Sequence, residues 1–123
     1  MQAIRIEHPN DGNGLWMSKN DLGEFIIDDT TSCYSSLLLR HEKFLTPCND
    51  KNMKGFTEGM HFCAFKSMKQ LQQWVLPEEI KEIIQLGFKV YLLELSECIE
   101  GEYQIGYDKA CITKKEDITS LFT

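Results

Sequence analysis

Long apolar runs are missing from this chain. Nowhere in its 123 residues does a stretch approach the ~18 apolar residues of a membrane-crossing helix, which excludes a helical span. Paired metal-ligand spacing is missing too. The five cysteines (Cys33, Cys48, Cys63, Cys98, Cys111) and three histidines stand singly, with no C-x-x-C, so neither a structural zinc site nor a disulfide framework is expected. With no secretory signal at the start, the thiols are expected to be reduced, in a cytoplasm. Positive charge is in deficit: 13 Lys and Arg face 19 Asp and Glu, for a net charge of −6. That balance argues against binding nucleic acid by neutralising phosphates, but it suits a basic partner. Repeats and low-complexity segments are absent.

What is present reads as one α+β domain over residues 1–123. Hydrophobic content of 42% and charged content of 26% are ordinary for a globular chain long enough to bury a core. Gln2 to Glu7 alternates Ile4 and Ile6 with Arg5 and Glu7, a first strand stopped at His8-Pro9. Residues 8 to 59 carry few strong signals. Phe25-Ile26-Ile27 is either a short strand or a loop anchor, Leu37 to His41 suggests a helical turn, and Leu45 to Asp50 reads as loop around Pro47. A weakly patterned stretch of that length is a candidate interaction surface.

The second half is clearer. Met60 to Phe65 reads as a short buried strand, and Ser67 as the N-cap of a helix over Met68 to Val75. Pro77, Glu78 and Glu79 open a second helix, whose apolar face is Ile80, Ile83, Ile84 and Leu86 and whose stop is Gly87. Gly87 to Asp108 then predicts two strands joined by the polar turn Ser96 to Gly101. In the second, Tyr103, Ile105 and Tyr107 alternate with Glu102, Gln104 and Gly106. A short strand near Ala110 to Ile112 and a terminal turn over Asp117 to Phe122 follow. The expected architecture is a mixed or antiparallel sheet with two helices between the middle and late strands.

Candidate chemistry centres on Glu100 and Glu102, an E-x-E around Gly101. Two carboxylates so placed can hold a ribose hydroxyl and stabilise positive charge at the adjacent carbon. They can equally be two solvated acids on a turn, and spacing alone favours that simpler account. Arg5, on the polar face of the first strand, can clamp a phosphate bidentately or pair with Glu7 or Glu102. His8 at the strand end can meet a ligand or cap the strand. Gln104 shares a face with Glu102. Ser67 is explained by capping, and it can also position a glutamate.

In chain order, an arginine on the first strand, Phe65-Lys66-Ser67 leading into a helix, and Glu100-Gly101-Glu102 opening a late strand resemble the pattern of ADP-ribosyltransferases. The resemblance implies a fold of that type, NAD as cofactor, Glu102 on the ribose 2′-hydroxyl and Glu100 on the acceptor. It also implies Arg5 and Ser67 at the cleft, with Gln104 and His8 as further NAD contacts. Here the serine motif reads Ser67-Met68-Lys69, and His8 stands late in its strand for the histidine of the polymerase branch. A second resemblance, to small proteins of phages and mobile elements, rests on Arg5-Ile6-Glu7-His8, on Phe65-Lys66-Ser67 with Gln70-Leu71 and Trp74, and on Gly101 with Tyr103-Gln104 and Lys109. It brings no established activity with it; together the two resemblances imply an accessory protein in the host-cell cytoplasm that uses NAD to modify or inhibit a host factor. The alternative is a non-catalytic acidic anti-defence protein that blocks a host complex or sequesters a nucleotide.

Overall fold

The computed structural model describes residues 1–43, 53–57 and 60–123. The loop expected at Leu45 to Asp50, with Cys48, lies outside the described residues. Strand β1 (Gln2–Glu7) is buried from Ala3 onward. Its alternation divides it between two apolar clusters, with Ile4 and Ile6 in the larger and Ala3 in the smaller. Arg5 and Glu7 share the face of Ala3, and both are buried rather than solvated.

β1 pairs antiparallel with β3 (Lys89–Leu95), and β3 with β6 (Ile112–Asp117). A second antiparallel sheet runs β2 (Phe62–Ala64), β5 (Ile105–Tyr107), β4 (Ile99–Glu100). Two hydrogen bonds between Ile4 and Phe65, of 2.6 and 2.8 Å, join the sheets along β1 and β2. The combined order is therefore β6-β3-β1-β2-β5-β4.

That order forces the sheet to curl. Laid flat, β5 and β6 would stand four strand spacings apart, about 19 Å. Yet only Asp108 to Cys111 connect them, and Lys109–Cys111 is a tight 3₁₀ turn capped by the Asp108 carboxylate, which advances only about 2 Å per residue. The strands close instead into a half-barrel. Its interior holds Ala3, Ala64, Leu93, Leu95, Ile105 and Tyr107.

The helices cover the other face. Ser67 caps α2 (Met68–Trp74) as expected, its Oγ accepting from the Gln70 amide at 3.2 Å. α3 (Pro77–Gln85) opens on Glu78 and Glu79 and stops at Gly87, whose φ is +99°. There Gly87 N donates to Ile84 O (3.0 Å) and Phe88 N to Ile83 O (3.3 Å), the paired bonds of a Schellman stop, with Phe88 packed in the same cluster as Ile83. α1 (Tyr34–Lys43) extends well beyond the turn expected at Leu37 to His41. Its serine-rich start carries no apolar period. Docking holds it: Leu37 is buried, Arg40 Nε donates to Trp74 O at 2.7 Å, and Arg40 and Ser36 both bond the Glu79 carboxylate. Before it, side chains order the loop: Asp11 accepts from the Asn13 and Lys19 amides and Asn20 from those of Leu22 and Glu24.

The ribbon expected over Gly87 to Asp108 is not a hairpin. β3 pairs with β1 and β6, whereas β5 pairs with β2 and β4. The alternation from Tyr103 also fails. Residues 101–104 form a turn closed by Gly101 N to Gln104 O at 2.9 Å, so Tyr103 packs on the larger cluster while Ile105 and Tyr107 enter the barrel. β6 was hidden by composition: Lys114 to Asp117 are charged and exposed because β6 is an edge.

Candidate functional site

At one end the half-barrel opens into a cleft of about 380 Å³, lined by residues that include Arg5, Glu7, Gly12, Phe62, Tyr91, Tyr107, Lys109 and Lys115. β1 supplies Arg5 and Glu7 two residues apart, which is one face of a strand. β2 and β5 bring Phe62 directly opposite Tyr107, and β3 sets Tyr91 opposite Arg5. Lys109 comes from the 3₁₀ turn and Lys115 from β6, which reach the mouth only because the sheet curls.

The polar groups are held in place. Arg5 Nη1 donates to Cys63 O at 2.7 Å and Nη2 to Gly12 O at 3.1 Å. Its Nε is buried and has no hydrogen-bond partner among the described residues. Glu7 pairs with Lys115 at 2.6 Å, not with Arg5. Cations lie over the rings: Lys109 Nζ is 4.7 Å from the Phe62 centroid, the Arg5 guanidinium 5.6 Å from the same ring, and Lys115 Nζ 4.3 Å from Tyr91. Burial pushes the Tyr107 phenol up to about 12, against the pull of Arg5, so it stays a neutral O–H at physiological pH. In a chain of net charge −6, this mouth carries three cations against one carboxylate among the described residues. It can hold an anion together with a flat ring.

The other residues singled out from sequence are not gathered here. His8 faces the opposite side of β1 and lines a separate cleft of about 300 Å³ with Asn20, Asp21, Glu24, Asp28 and Leu86. Its ring stands edge-on to Phe88, and its Nδ1 accepts from the Asn10 amide at 3.3 Å. Glu100 and Glu102 are exposed, and with Ser67 and Gln104 they line neither cleft. Ser67 and Glu102 are nonetheless neighbours through Gln70. The Gln70 amide donates to Ser67 Oγ, and its Nε2 donates to Glu102 O at 3.4 Å. One turn further along α2, Trp74 Nε1 donates to Tyr103 O at 3.0 Å. Gln70 and Trp74 hold the E-x-E turn, and only their helical i, i+4 spacing hinted at it. Glu7, Lys109 and Lys115 were not picked out from sequence as site residues. Lys109 and Lys115 stand in a charged stretch that looks like ordinary surface, and no local spacing joins the three.

No helix among the described residues is long and apolar enough to cross a membrane, and no group of three or more metal-ligating side chains forms among them. No curated protein and no solved structure matches the chain, so the resemblance to ADP-ribosyltransferases gains no support there. The resemblance to small phage proteins does: residues 1–120 match the family model of the Bacteriophage T4 Y00F protein, and the chain belongs to that family.

Proposed function

We propose that this phage protein binds a nucleotide-class ligand of the host, of the NAD or ADP-ribose type, in the barrel mouth, and sequesters it without turnover. The observation that carries the reading is Arg5: a buried guanidinium with an unpartnered Nε in the wall of a cleft rich in cations and rings. A buried guanidinium is costly without an anion near it, and a phosphate in the cleft that Arg5 lines would supply one. Lys109 and Lys115 supply further charge, while Phe62 and Tyr91 offer faces to a base.

A second reading, ADP-ribosyl transfer to a host factor, is favoured by one observation, that Gln70 bonds both Ser67 Oγ and the main-chain carbonyl of Glu102. There Glu102 would stabilise the charge that develops as the nicotinamide–ribose bond breaks, and Glu100 would activate the acceptor. It requires NAD to reach Arg5 and Glu102 together, and Glu102 does not line the cleft that holds Arg5, so binding without catalysis is the stronger reading.

A thermal-shift titration with NAD and ADP-ribose tests both. Ligand at about 100 times its dissociation constant stabilises the fold by about 2.7 kcal/mol. Sequestration predicts a shift that Lys109→Ala weakens and Glu102→Gln leaves intact, with no nicotinamide released. Loss of the shift in Glu102→Gln, with nicotinamide released by the wild type, would establish the transfer reading instead. No shift with either ligand refutes both.

A further inference from the structure

We propose that Glu7 reads the ribose of the ligand, its carboxylate accepting from the 2′- and 3′-hydroxyls, so that the mouth selects ribonucleotides over both sugarless phosphates and deoxy sugars. The inference rests on the nucleotide reading of the mouth and names what decides specificity within it.

Three observations converge on Glu7. Its side chain is only 9% exposed, yet its ion-pair partner Lys115 is 41% exposed and reaches over Tyr91 from the edge strand. A buried carboxylate is thus neutralised by a flexible lysine that a ligand can compete for. The lip of the mouth is also shaped around it. A Cβ at Gly12, where φ is +70°, would lie 3.3 Å from Glu7 Oε2, and the Gly12 carbonyl holds Arg5 Nη2 at 3.1 Å. One loop residue therefore keeps Arg5 in place and leaves the approach to the carboxylate open. Finally, among the described residues Glu7 is the one carboxylate in the lining of the mouth, beside the cations Arg5, Lys109 and Lys115.

The chemistry then constrains the ligand. A phosphate entering the mouth draws on Arg5, Lys109 and Lys115. As Lys115 turns to the phosphate, the Glu7 charge loses its partner in a buried place, which is strongly unfavourable. Pyrophosphate alone brings no diol to offset that, and its own negative charge repels the carboxylate. A ribose diol brings two O–H donors, and both carboxylate oxygens can accept. A site built to bond a hydroxyl rejects the analogue that lacks it, because its own polar group is left unpaired.

Isothermal titration with ADP, 2′,3′-dideoxy-ADP and inorganic pyrophosphate tests this, at one fixed salt concentration, on the wild type, Glu7→Gln and Gly12→Ala. ADP should bind at least tenfold more tightly than either competitor. Glu7→Gln should reduce the preference over the dideoxy analogue to under threefold, and Gly12→Ala, which crowds Oε2, should weaken ADP more than pyrophosphate. Thermal melts establish that each variant is folded. Should Glu7→Gln fail to fold, the wild-type ratio and Gly12→Ala still decide. Equal binding of ADP and its dideoxy analogue by the wild type overturns the role of Glu7 while leaving the nucleotide site standing. A preference over the dideoxy analogue that survives in folded Glu7→Gln also overturns it. Binding of none of the three overturns the nucleotide reading and this inference together.

Discussion

Replacing Gly87 by alanine tests how α3, β1 and β3 are locked together, and it tests whether His8 is a packing residue. Gly87 has a φ of +99°, and forcing an L-residue into such a conformation costs about 1–2 kcal/mol. The added Cβ would also stand 2.7 Å from His8 Nε2. His8 cannot easily give way, because it is buried, stands edge-on to Phe88 at 5.2 Å and accepts from the Asn10 amide. Displacing it adds about 1–2 kcal/mol of overpacking. The total, about 3 kcal/mol, corresponds to a fall in Tm of about 10 °C for a domain of this size. Circular dichroism melts of Gly87→Ala and Gly23→Ala make the comparison. Gly23 has a φ of +76° but nothing within 4 Å of an added Cβ, so its substitution should cost about 1 kcal/mol. The double variant Gly87→Ala/His8→Ala closes a cycle in which the clash appears as a coupling of about 1–2 kcal/mol. Equal losses in the two glycine variants, with no coupling to His8, would refute the argument.

Between about pH 10 and about 12 the native Tyr107 holds a proton that the unfolded chain has released, so stability falls as pH rises through that window. The loss is on the order of 2–3 kcal/mol. Tyr107→Phe should abolish this part of the alkaline slope in urea unfolding followed against pH. Burial, with the Glu82 and Glu79 carboxylates nearby, pushes the Cys33 thiol up to about 11. Because the thiolate is the nucleophile, peptide mapping after brief alkylation at pH 8 should find Cys33 labelled far more slowly than an unfolded control; equal rates would contradict the burial. Trp74→Phe removes the bond to Tyr103 O and trims the larger cluster, so urea melts should show a loss of about 1–3 kcal/mol. Thr119 accounts for most of the depression that takes the Asp117 carboxyl to about 2, through its hydroxyl and its amide. Thr119→Val should therefore move that titration back up, as read by NMR.

Local pattern was enough for part of the molecule. The alternation from Gln2 to Glu7, the serine before Met68, the Pro77-Glu78-Glu79 opening and the glycine at 87 each state their own conformation, because caps and periods are decided by neighbours in the chain. They give β1, α2 and α3 and the α+β class directly. α1 was barely legible, since its start has no period and its stability comes from Arg40 meeting Glu79 and Trp74 across the fold. β6 was illegible for the opposite reason: an exposed edge needs no apolar alternation.

The site divides in the same way. Arg5 was named from its strand, but the sequence placed it on a solvated face, beside an E-x-E pair made conspicuous by spacing alone. Whether a strand's second face meets water or a second cluster depends on how far the sheet curls. That is settled by the Ile4–Phe65 junction and the short link from Tyr107 to Ile112. Curling buries Arg5 and Glu7 and brings Lys109 and Lys115 to them from residues about a hundred positions later. It leaves Glu100 and Glu102 outside. The sequence by itself determined β1, α2 and α3, whose periods and caps are local. Only the tertiary structure decided which side chains face one another, because that depends on closure between distant segments, which no local period encodes.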